Sequence, residues 1–100
     1  MDASDFDELI ARAPARLQDR LERLDRAFAV GDFEALEREA HTLIGGAGNI
    51  GAKALSALAF ELETSSSERD RDKVDELMRA IADKTPGTLA ALQSRRATAA

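Results

Sequence analysis

His41 is the only histidine in this chain, and there are no cysteines. Disulfides, thiolate metal sites and thiol nucleophiles are therefore excluded. A neutral imidazole is a nucleophile that exists in quantity at physiological pH. Around it the sequence reads Ala40-His41-Thr42-Leu43-Ile44-Gly45-Gly46-Ala47-Gly48-Asn49-Ile50-Gly51-Ala52. Four of the six glycines fall between positions 45 and 51. Within a helix each glycine costs roughly 0.5–1 kcal/mol relative to alanine. Yet Leu43, Ala47 and Ile50 keep helical phase through them, which predicts that helix continues. Close approach by another molecule accounts for the cost. On a helix, residues three and four apart are neighbours, so His41 lies beside Glu37, Arg38, Ile44 and Gly45. Gly45 leaves the imidazole open one turn on, and Gly48 extends the bare strip by another turn. Such a histidine suits a partner that brings its own reactive group within bonding distance.

Gly46-Ala47-Gly48-Asn49-Ile50-Gly51 also fits G-x-G-x-x-G. A dinucleotide site needs that motif between a strand and a helix. Here the preceding residues, Phe33 to Leu43, have helical period, and no βαβ unit follows. The dinucleotide reading is rejected.

The elements that must hold His41 are helices. A short one is expected near 5–12, with Ser4 as its cap. A second is expected near 14–30, with Pro14 in its first turn and a stripe of Leu17, Leu21, Leu24 and Phe28. Gly31 and Asp32 end that helix and cap the next. The histidine helix spans about 33–50, with Leu36, Leu43 and Ile50 inward. The fourth runs near 52–64 on Leu55, Leu58 and Leu62, and the hydroxyl-rich run Thr64 to Ser67 reads as a loop. The last, near 71–93, carries Val74, Leu77 and Ile81; Pro86 leaves it either kinked or broken. No strand pattern occurs. The expectation is an all-α fold, an antiparallel up-down four-helix bundle with a short N-terminal helix, residues 1–100 forming one domain.

Composition narrows the function classes. The net charge of −5 argues against nucleic acid, whose phosphates need a basic face. No apolar run approaches the roughly 20 residues of a membrane span, and the N-terminus is acidic, unlike a secretory signal. A cytoplasmic monomer without cofactor or metal is expected. A metal enzyme finds no support: the bundle motif Glu-x-x-His needs two copies, and Arg38 stands where its glutamate would be.

The segment around His41 resembles the histidine phosphotransfer (HPt) domain of multistep phosphorelays. That family's pattern is a His, an apolar residue two on, then Lys-Gly, and a Gly ten residues after the His. His41, Leu43, Gly45 and Gly51 match it; Ile44 stands where the family usually has Lys. The resemblance implies a phosphoryl carrier rather than a self-contained enzyme. His41 would accept a phosphoryl group from a receiver-domain aspartate and pass it to another receiver. The partners implied are response-regulator receiver domains and a hybrid sensor kinase. It also implies Glu63 as the group that orients the imidazole, since the family often has Gln or Glu there. Arg38, Ile44, Gly45, Gly48 and Lys53 are the candidate contacts to the phosphoryl group or the partner. Ile44 motivates one alternative: an adaptor that docks receivers or kinases without being phosphorylated.

Overall fold

The computed structural model describes the backbone of residues 3–49 and 52–99 and the side chains of 11–49 and 52–92. The described residues form four helices: α1 Ala3–Val30, α2 Phe33–Asn49, α3 Lys53–Ser67 and α4 Arg71–Ala99. They contain no strand. Each helix packs on two others: α1 on α2 and α4, and α3 on α2 and α4. Among the described residues no close backbone approach crosses the diagonals, so the four helices ring a main apolar core, with Ala13 and Leu92 as a smaller one.

Local chemistry sets the helix ends. Gly31 adopts φ +71°, the left-handed conformation that costs a side-chain-bearing residue roughly 1–2 kcal/mol. It completes a Schellman turn in which Asp32 N–H donates to the Ala27 carbonyl at 3.0 Å and Gly31 N–H to the Phe28 carbonyl at 3.1 Å. Asp32 then caps α2, its Oδ1 accepting from Ala35 N–H at 3.0 Å. Asp70 does the same for α4 through Lys73 N–H at 3.2 Å. At the end of α3, Arg69 takes the left-handed position with φ 56°. Its guanidinium lies 5.7 Å from the centre of the Phe33 ring, a cation–π contact that ties this turn to the start of α2.

Two boundaries differ from the sequence expectation, and a third is decided between its alternatives. The short N-terminal helix is not separate: α1 is continuous from Ala3 through Pro14 to Val30. Ala13 and Leu17 keep phase across the proline and are both buried, so tertiary packing outweighs the lost backbone hydrogen bond. The serine-rich run is not a loop. α3 extends to Ser67, with Ser65 and Ser66 buried, because small side chains fit where helices converge. Of the two alternatives at Pro86, α4 takes the continuous one and runs unbroken through it. Either side of it, Thr85 Oγ1 donates to the Ile81 carbonyl at 2.7 Å and Thr88 Oγ1 to the Lys84 carbonyl at 3.1 Å.

The core contains Leu17, Leu24, Leu36, Leu43, Leu55, Leu62, Val74, Leu77 and Ile81, as the stripes predict. Leu21, Phe28 and Leu58 pack against it only partly buried. Ile50 lies outside the described residues. Ala40 and Ala47, in phase with the α2 stripe, and Ala59, beside that of α3, are fully buried. These alanines let helix backbones approach closely.

Candidate functional site

His41 sits midway along α2, on the side away from the core residues Leu36, Leu43 and Ala47. Its side chain is 76% exposed, and Glu63 opposite it is 30% exposed. His41 Nδ1 lies 2.9 Å from Glu63 Oε2. The two are 22 residues apart in sequence and meet only because α2 and α3 pack together. A carboxylate accepts hydrogen bonds and cannot donate, so Nδ1 carries the proton. In the neutral ring Nε2 then holds the free lone pair.

The approach to that lone pair is open. A Cβ placed on Gly45 or Gly46 would meet no atom within 4 Å, and at Gly48 only Ser56 Oγ at 4.0 Å. Among the described residues nothing requires glycine at these positions. Below the imidazole, Ser56 Oγ donates to the Ile44 carbonyl at 3.0 Å and fastens the start of α3 to α2. Among the described residues no cluster of three His, Asp or Glu side chains is arranged to hold a metal.

A family model described as the Hpt domain matches residues 8–94. The chain belongs to the Hpt domain family. Its fold is similar to the crystal structure of histidine-containing phosphotransfer protein B (HptB) from Pseudomonas aeruginosa PAO1. The TM-score is 0.87 at 25% identity, over 92% of this chain and 80% of that one. No curated protein matches the sequence.

The other candidate residues of this Hpt domain fall into two groups. Arg38, Gly45 and Gly48 are exposed on α2 within one or two turns of His41. Ile44 is half-buried and packs against the core, so most of its side chain faces inward rather than toward a partner. Lys53 opens α3, ten residues before Glu63 and so about 15 Å from it along the helix.

Sequence reasoning missed Phe60. It is 62% exposed, one of the two large exposed apolar side chains among the described residues. It lies three residues before Glu63 on α3, on the same side of that helix. Apolar type gives no hint of this exposure, which follows from how α3 packs.

Proposed function

We propose that this Hpt domain protein is a phosphoryl carrier. His41 accepts a phosphoryl group from the aspartyl phosphate of a receiver domain and passes it to a second receiver. The observation that carries this reading is the His41–Glu63 pair: one ring nitrogen held at 2.9 Å, the other free on a ring that is 76% exposed. In the forward step the Nε2 lone pair attacks phosphorus in line. The N–P bond forms as the P–O bond to the partner's carboxylate breaks, and that carboxylate leaves with the electron pair. Nδ1 keeps its proton, and Glu63 stabilises the positive charge the ring acquires. The reverse attack by a second receiver's carboxylate discharges the histidine. The carrier positions and exposes one nitrogen, and the partner supplies the remaining chemistry. This reading treats the chain as one cytoplasmic, monomeric unit whose helices alternate up and down; the short connections between successive helices support that order.

The test is transfer of labelled phosphate from phosphorylated receiver domains. The wild type is expected to gain acid-labile label and His41→Gln none, with helix content unchanged because the site is at the surface. Label that survives in His41→Gln would overturn the assignment. Ile44, which supplies no charge beside the histidine, favours the alternative of a docking adaptor. Receiver binding without any labelling of the wild type is the result expected of that adaptor.

A further inference from the structure

A groove of about 340 Å³ runs between α1 and α2. Its floor includes Leu17 and Leu43, both buried. The α2 rim carries Thr42, Gly45 and Gly46; the α1 rim carries Arg16 and Arg20. Thr42 follows His41 in the chain and Gly45 lies one turn beyond it. The groove therefore opens on the α1 side of the α2 turns that carry His41, while Glu63 approaches from α3.

The charge here runs against the rest of the molecule. The chain carries a net −5, yet among the described residues no carboxylate lines the groove. On the same helix Arg23 pairs with Asp19 at 3.1 Å. Arg16 and Arg20 make no ion pair among the described residues. Placed four apart, they repel each other. Glycines across from them weaken α2, and among the described residues no contact asks for those glycines. An external anion seated against the bare strip would offset both costs. Guanidinium groups suit carboxylates, to which they can bind in a bidentate manner. An apolar floor between a cationic rim and a bare rim fits a protein edge that offers both an apolar side chain and acidic ones. Nucleic acid fits poorly, given the acidic total.

We propose that this groove seats an acidic edge of the phosphodonor protein, with Arg16 and Arg20 binding carboxylates beside its phosphorylated aspartate. The inference rests on His41 being the phosphoryl acceptor, and the test separates the two claims. Phosphoramidate, a small phosphodonor, reaches His41 without any docking. The double variant R16E/R20E is expected to take label from phosphoramidate at the wild-type rate. From a phosphorylated receiver domain it should take label at least about tenfold more slowly at low salt, with the gap narrowing as salt rises. R16K/R20K, which keeps the charge but loses the bidentate fork, is expected to transfer at a rate between those of R16E/R20E and wild type. Equal transfer by wild type and R16E/R20E overturns the docking claim and leaves the carrier reading standing. A matching loss with phosphoramidate also overturns it, because the arginines would then act on the imidazole or the fold. A wild type that takes label from no donor overturns both.

Discussion

The proton on His41 Nδ1 is the smallest feature on which the proposed chemistry depends. Glu63 holds it at 2.9 Å, and removing the carboxylate leaves the two neutral tautomers of the ring to exchange freely. Glu63→Ala is expected to slow phosphoryl transfer by roughly threefold to tenfold. That corresponds to about 1 kcal/mol for a charge-assisted hydrogen bond that solvent partly screens. Because this is the only histidine, nitrogen NMR reads the tautomer without overlap. The Nδ1–H fraction should fall in Glu63→Ala. An unchanged tautomer ratio would show that Glu63 does not orient the ring. Glu63 illustrates how far the residues alone could go. Its period on α3 says only that it flanks Leu62; the resemblance to a family pointed to its role, and the packing of α2 on α3 set its distance.

At the scale of one helix, α2 keeps residues that weaken it. Gly45 and Gly46 are exposed, and neither would clash with an added Cβ. Gly45→Ala with Gly46→Ala is therefore expected to stabilise the protein by about 1–2 kcal/mol in total. For a domain of this size each kcal/mol raises Tm by roughly 4–8 °C. The same pair should slow transfer from a receiver, since two methyl groups would stand on the strip that a partner must approach. A rise in Tm with undiminished transfer would show that the strip is not an interface. Gly31 behaves in the opposite way. Its φ of +71° means that alanine there is strained and destabilising. The glycine count is visible in the sequence, but which glycines the fold needs is not, because that depends on φ and on what lies beside each Cα.

Across the whole molecule, fully buried alanines bring α2 and α3 together. Ala40 precedes His41 and Ala59 lies one turn before Glu63, both at zero exposure. Ala59→Leu would force extra methylenes into a closed core, at a cost of about 1–3 kcal/mol. By separating α2 from α3 it should lower the Nδ1–H tautomer fraction as Glu63→Ala does, although Glu63 itself is intact. A loss of thermal stability with the tautomer unchanged would show that the helix spacing does not set the His41–Glu63 contact.

The residues by themselves determined the class of fold and the candidate reactive group. Leucine stripes at helical spacing dictate which faces are buried, and a lone histidine beside glycines marks the open face. Both are local patterns, readable one turn at a time. The tertiary structure decided whatever depends on distance between helices. It carried α1 through Pro14 and α3 through the serines, because packing in the core outweighs local breaking signals. It turned Ile44 inward and left Phe60 outside. It also placed Arg16 and Arg20 of α1 across a groove from the residue that follows His41. Residues more than 20 positions apart share no helical period, so only the approach of one helix to another makes them neighbours.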